Sequence, residues 1–385
     1  MPSVEEIVEG REIVICAGSG GVGKTTTSAA IALGMAARGH RVCVLTIDPA
    51  KRLADSLGLE ELGNEASQVD PALLKAQGVD TSNGGELWAM MLDAKETFDA
   101  LVARHAEDAE ARDRVLNNRI YQQISGALAG SQEYMAMEKL FELHSEGRFD
   151  LLVLDTPPSR NALDFLDAPR RLTQFIEGRS LQIFIRPTGL AARVASRGTG
   201  VVLSVLKRIV GFDLLADLSE FFTAFSGMID GFQDRAHRVS SLLADDRTSF
   251  LIICGPRAEP VDEAVFFHSK LIENGMHFGG AIVNRVRYRL GSRQPRVGEL
   301  AGKLNRELDD SSLSERLARN LAQYDVLAVR DQKNIARLTS RLDGEPVIRI
   351  PYLDTDVHDI AGLCEINRYL FADEAMRVEL ATDGT

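Results

Sequence analysis

The chain has 385 residues, 45% hydrophobic and 26% charged, enough apolar material for one large buried core or two ordinary ones. Its formal net charge of −12 argues against non-specific binding to DNA or RNA. Four scattered cysteines (Cys16, Cys43, Cys254, Cys364) without a C-x-x-C pair argue against a disulfide framework or a zinc cluster, and no run reaches the ~20 apolar residues of a spanning helix.

The opening "MPSVEEIVEGREIVIC" is acidic and lacks the basic and apolar regions of a secretory signal, so a cytoplasmic protein is expected. The first apolar run, "EIVICAG" (12–18), reads as a strand and leads through "CAGSGGVGKTTTSAA" into the helical stretch "TTTSAAIALGMAARGH". Gly18-x-x-x-x-Gly23-Lys24-Thr25 fits the phosphate-loop pattern in its proper strand–loop–helix context. In such a loop the backbone amides of Gly18, Gly20, Gly21, Val22 and Gly23 turn inward around phosphate oxygens, and the helix N-terminus adds a favourable dipole. Lys24 is placed for the β- and γ-phosphates, the Thr25 hydroxyl for Mg²⁺, and Thr26 for the α-phosphate.

The next apolar runs are "RVCVLTID" (41–48), "ELWAMMLD" (86–93) and, after a mostly helical segment at 94–148, "DLLVLDTP" (150–157). Asp48 and Asp155 stand at strand C-termini, where an open parallel sheet gathers its ligand-binding residues. Asp155 is placed to hold the water shell of Mg²⁺ and Asp48 to orient an attacking water, so Thr25, Asp155 and Asp48 form the expected magnesium side of the site. Either aspartate also suits a helix N-cap.

A helical stretch at 168–245 follows, then "SFLIICGP" (249–256), "GGAIVNRV" (279–286), a charged helical stretch at about 296–343, and "EPVIRIPY" (345–352). Apolar runs without polar alternation suit strands covered on both faces. The expected fold is therefore α/β: a doubly wound, mostly parallel sheet of P-loop NTPase type with an inserted helical subdomain. Its core would comprise 1–167 and 246–385, including the segment 94–148, with 168–245 as the insert. Between Gly178 and Phe212 the insert has no Asp or Glu but has Arg179, Arg186, Arg193, Arg197, Lys207 and Arg208. Such an apolar, locally basic region suits a groove for a hydrophobic helix or contact with an anionic membrane, and equally a helical subdomain with solvated basic faces. "FFTAFSGMIDGF" adds Phe221, Phe222, Phe225 and Met228, either as further lining or as internal packing.

"GSGGVGKTTTSAAIALGMAARGHRVCVLTIDPAKRLADSLG" resembles the opening of the arsenite-pump and tail-anchored-protein targeting ATPases (the ArsA/Get type), part of the deviant phosphate-loop class with MinD and ParA-type proteins. "LLVLDTPPSRNALDFLDAPRRL" resembles the family's switch II, "IVNRV" its adenine-binding Asn segment, and "RIPYLDTDV" its late adenine loop. The likeness covers most of the chain, is weakest in the helical insert, and is nearest to single-domain bacterial, actinobacterial-type members. It implies a dimeric, ATP-hydrolysing, Mg²⁺-dependent enzyme in which Asn284 and the backbone near Pro351 recognise adenine. It implies too that Asp48 positions water and that Asp155 lies on the magnesium side. The resemblance further implies a second copy or a paralogous subunit as partner, room for a hydrophobic or membrane-protein client, and a cytoplasmic location that can extend to the inner face of the membrane.

Ser19 departs from the family, which there places a lysine that reaches across the dimer to the partner's phosphates. Cationic stabilisation of this kind is worth about 10³–10⁵ in rate, or roughly 4–7 kcal/mol. A paralogue that keeps the lysine, another cation such as Arg160, or slow hydrolysis would each answer its absence; the plainer reading of Arg160 is a surface ion pair. Rival readings are the energising subunit of an anion or metalloid pump, a weakly hydrolysing nucleotide-bound scaffold, and a MinD- or ParA-like positioning ATPase. The placement of the cysteines argues against the first of these and the acidic C-terminal stretch against the last.

Overall fold

The uninterrupted apolar runs form a sheet in the computed structural model, which describes residues 2–48, 50–124, 131–156, 167–168, 228–289, 296–373, 376–377 and 380. Its strands are β1 (Ile13–Ala17), β2 (Arg41–Thr46), β3 (Ser67–Gln68), β4 (Glu86–Met91), β5 (Leu151–Asp155), β6 (Thr248–Cys254), β7 (Phe278–Val286) and β8 (Val347–Pro351). Among the described residues they lie in the order β3-β4-β2-β5-β1-β6-β7-β8. β1 pairs in parallel with β5 on one side and β6 on the other, setting Ile15 opposite Leu154 and Cys16 opposite Asp155. β2 pairs with β5, β7 with β6 and β8 with β7, all in parallel, so these strands end at one edge of the sheet. Every residue of β1, β5 and β6 is buried, which explains their lack of polar alternation. β3 is the strand that the sequence does not announce: two polar residues held antiparallel to β4 by neighbours rather than by their own propensity.

The helices of the described residues are α1 (Val4–Val8), α2 (Lys24–Ala36), α3 (Arg52–Leu57), α4 (Pro71–Ala76), α5 (Ala94–His105), α6 (Ala109–Leu116), α7 (Arg119–Ile124) and α8 (Ser131–Glu146). After them come α9 (Ile229–Leu243), α10 (Ala258–Glu273), α11 (Val297–Leu308), α12 (Ser311–Arg341) and α13 (Ile360–Leu370). The chain divides into two units, one of Met1–Met90, Gly147–Ala162 and Ala244–Thr385, the other of Met91–Glu146 and Leu163–Leu243. The first carries the sheet.

In the second unit, α5 to α8 share a core with α9. Phe98 stacks on Tyr121 with ring centroids 5.6 Å apart and meets Phe232 edge-on at 6.0 Å. The buried Glu138 on α8 binds Arg235 of α9 at 2.6 Å and lies 3.8 Å from Arg104 of α5. The helices of 94–146 thus pack with α9, in the tail of the 168–245 insert. Met228 is buried, whereas the basic stretch 178–212 and Phe221, Phe222 and Phe225 lie outside the described residues. No described helix is long and apolar enough to cross a membrane.

In the first unit, the charged stretch after β7 forms α11 and α12. Asp310 caps α12 by accepting the Leu313 N–H at 2.9 Å. Two buried carboxylates of α12 hold the chain leaving β7: Asp331 receives Arg287 at 3.3 Å and Asp325 receives Arg289 at 2.9 Å. Asp331→Ala should cost about 2–4 kcal/mol by chemical denaturation, somewhat below a fully buried pair because Arg287 keeps a quarter of its side-chain exposure. A loss below about 0.5 kcal/mol would show that water, not Asp331, satisfies that guanidinium.

Candidate nucleotide site

The loop between β1 and α2 is shaped by contacts that exclude side chains. A Cβ at Gly18 would collide with the Ile253 carbonyl oxygen, and one at Gly23, where φ is +94°, with the Asn284 amide nitrogen. Gly23 is also the N-cap of α2, so no side-chain oxygen there satisfies the first N–H groups of the helix. Donors left open in this way suit an anion.

Lys24 opens α2 and is 6% exposed, with Nζ donating to the Ser19 carbonyl oxygen at 3.0 Å. Burial pushes its ammonium below the usual range, against the opposing pull of Asp155 and Asp48. Thr25 Oγ1 donates to Asp155 Oδ2 at 2.7 Å, and Thr46 Oγ1 to the same oxygen at 2.9 Å. Asp155 Oδ1 is buried with no hydrogen-bond partner. A hard cation seeks such a carboxylate oxygen beside a hydroxyl, so Thr25 and Asp155 fit Mg²⁺, whose other ligands are normally water and phosphate oxygens.

Burial pushes the Asp155 carboxyl up to about 6, although the hydrogen bonds from Thr25 and Thr46 and the charge of Lys24 oppose it. A folded-state value above the unfolded one means stability that is full below about pH 4 and lost as pH rises through about 6. In metal-free protein, the stability of the parent relative to Asp155→Asn should therefore fall by about 3 kcal/mol between pH 4 and pH 7, on the order of 1.4 kcal/mol per unit. Thermal melts of both proteins across that window measure it, and a constant difference would refute it.

Asp48 follows β2. Its N–H donates to Thr46 Oγ1 at 3.2 Å, and its Oδ1 accepts the Ala50 N–H at 3.0 Å. The N-cap of α3 is Lys51, so Asp48 closes a turn rather than capping that helix. Its Oδ2 lies 3.9 Å from Arg52 Nη1. Asn284, 7% exposed at the end of β7, donates through Nδ2 to the Val22 carbonyl oxygen at 3.0 Å and accepts the Arg285 N–H at 2.9 Å. It therefore latches β7 to the phosphate loop, leaving one further N–H and one lone pair by valence for a base edge. Beyond Pro351, the Tyr352 N–H donates to the Val286 carbonyl oxygen at 2.9 Å and ties the ends of β7 and β8 together.

These elements enclose a cavity of about 660 Å³ in the first unit. Gly20, Gly21, Gly23, Lys24, Thr25, Thr26, Asp48, Asn284 and Pro351 line it; Gly18, Val22 and Asp155 do not, Asp155 being almost fully buried and bonded to Thr25. Arg160 lies outside the described residues. A family model described as anion-transporting ATPase matches residues 11–289, which takes in the loop, Asp48, Asp155 and Asn284.

The chain belongs to the anion-transporting ATPase family.

Three relatives are between 23% and 30% identical to this chain. A protein named ATPase GET3 from Malassezia globosa is 30% identical over 47% of this chain and 51% of its own length. "Putative arsenical pump-driving ATPase 1" from Aquifex aeolicus is 23% identical over 94% of this chain and 79% of its own. ATPase ARSA2 from Chlamydomonas reinhardtii is 26% identical over 74% and 71% respectively. The chain thus spans about half the length of the fungal relative that it matches. In this anion-transporting ATPase family member the cavity also takes in Arg52, Thr156, Arg285 and Tyr352, which lie within the motif stretches of the sequence without a role of their own there. The spacing of Arg52 four residues after Asp48, at the start of a helix, was the one signal available for it.

Proposed function

We propose that the chain binds ATP with Mg²⁺, hydrolyses it as a dimer, and couples the reaction to conformational change in the targeting or transport of a client. The observation that carries this reading is the meeting, on one cavity, of Lys24, the Thr25 hydroxyl bonded to Asp155, and Asp48. Lys24 and the loop amides would hold the β- and γ-phosphates, and Thr26 the α-phosphate. Thr25 and Asp155 would hold Mg²⁺, which supplies positive charge against the phosphate oxygens. Asp48 would orient a water whose oxygen bonds to the γ-phosphorus. The bond from that phosphorus to the bridging oxygen breaks, its electron pair leaves on ADP, and of the water's two protons one stays on the released phosphate while the other passes by way of Asp48 to solvent. Asn284 and the backbone at Pro351 would meet the adenine. The basic segment 178–212 would face a hydrophobic client or the inner surface of a membrane.

Phosphate release by the purified chain tests the reading. Turnover should need Mg²⁺ and, per subunit, rise with protein concentration as dimers form. Neither binding nor hydrolysis of ATP at millimolar concentration would reject it.

A second reading, the energising subunit of an anion or metalloid pump, draws on the family description and on the name of the Aquifex aeolicus relative. Cys16, Cys43 and Cys254 are buried, and burial pushes the thiols of Cys16 and Cys254 up to about 12, which leaves them protonated. Stimulation of turnover by arsenite would favour the pump; an unchanged rate favours client handling.

A further inference from the structure

Among the described residues, the cations on the cavity wall are Lys24, Arg52 and Arg285. Lys24 Nζ is given to the Ser19 carbonyl oxygen, and Arg285 Nη1 to the Gly21 carbonyl oxygen at 3.3 Å, beside the Asn284 end of the cavity. Arg52 is placed differently. Its side chain is 71% exposed, and among the described residues the carboxylate paired with it is that of Asp48, whose Oδ2 stands 3.9 Å away, beyond hydrogen-bond reach. An exposed pair at that separation is worth at most about 1 kcal/mol and is easily given up for a better anion. The charge of Arg52 also reaches Lys24, whose ammonium it helps to push down. Arg52, on the cavity wall and 3.9 Å from Asp48, stands on the ATPase reading near the place of the terminal phosphate. Ser19, by contrast, turns its hydroxyl into the interior, where Oγ is buried without a hydrogen-bond partner.

We propose that Arg52 is a catalytic residue of the same chain that leaves Asp48 to pair with the γ-phosphate and stabilise the charge that shifts onto its oxygens and the bridging oxygen as the phosphorus–oxygen bond breaks. This rests on the ATPase reading. The planar guanidinium suits the task because it presents two parallel N–H groups to two phosphate oxygens. Its departure takes a positive charge away from Asp48 and leaves that carboxylate a better acceptor for the attacking water, so one movement serves both groups. Arg52 makes and breaks no covalent bond and keeps its proton throughout.

The test compares the full chain with Arg52→Ala and Arg52→Lys in turnover, in ADP affinity, and in ADP affinity with aluminium fluoride, which mimics the phosphoryl group in flight. Arg52→Ala should lower kcat by about 10²–10³-fold, hold ADP affinity within about twofold, and lose most of the tightening that aluminium fluoride brings. Arg52→Lys should recover part of the rate, since it restores the charge without the fork. A kcat for Arg52→Ala within about threefold of the parent, or a loss of rate matched by equal losses of ADP affinity and melting temperature, would overturn the assignment. If the parent hydrolyses ATP and Arg52→Ala does so equally well, this inference alone fails. If the parent neither binds nor hydrolyses ATP, the ATPase reading fails with it.

Discussion

Lys24→Ala is expected to weaken ATP binding by about 10²-fold or more. Two charge-assisted contacts, to the β- and γ-phosphates, are each worth about 1.5–3 kcal/mol, and every 1.4 kcal/mol is a factor of ten. The site has accepted the burial of this ammonium, which is 6% exposed and pushed down by desolvation, where a surface lysine would have cost nothing. Removing it also leaves Asp155 and Asp48 facing an approaching triphosphate with less positive charge between them. Titration calorimetry with ATP and Mg²⁺ at fixed ionic strength reads the loss, and a melting curve of the variant shows whether it still folds. Affinity equal to the parent's would mean that the lysine merely staples the loop through the Ser19 carbonyl oxygen.

Asp48→Asn is expected to do the opposite: keep binding and stop turnover. The amide oxygen can still accept the Ala50 N–H, and the backbone N–H can still reach Thr46 Oγ1, so the turn after β2 should survive. What disappears is the charge that would draw a proton from water and the anion that Arg52 approaches to 3.9 Å. General-base contributions run at about 10²–10⁴-fold, and a fall of that size in single-turnover phosphate release is expected, with ATP affinity held within about threefold. An unchanged rate would reduce Asp48 to the closure of its turn.

The sheet was largely legible because a parallel strand buried on both faces leaves an unbroken apolar run, as in "LLVLD", where all five residues are buried. β3 was not legible, since Ser67 and Gln68 are strand residues only through their partners Ala89 and Trp88. The phosphate loop could be read because its glycines answer backbone needs that leave a spacing in the sequence. The second tie of Asn284, to the Val22 carbonyl oxygen, could not, because it joins residues 262 positions apart. The same holds for Thr46: its hydroxyl shares Asp155 Oδ2 with Thr25, a junction of three strands or helices that only the fold brings together. Arg52 leaves no such mark, because an arginine at the start of a short helix reads as surface charge until the cavity beside it is seen.

On the proposed reading the turn from β1 into α2 grips a triphosphate. A crystal structure of the chain grown with a non-hydrolysable ATP analogue and Mg²⁺ tests it most directly. The β- and γ-phosphate oxygens should lie within hydrogen-bond distance of Lys24 Nζ and of the amides of Gly21, Gly23 and Lys24, with Mg²⁺ at Thr25 Oγ1. A nucleotide bound elsewhere, with Lys24 still held by the Ser19 carbonyl oxygen and the cavity empty, would contradict it.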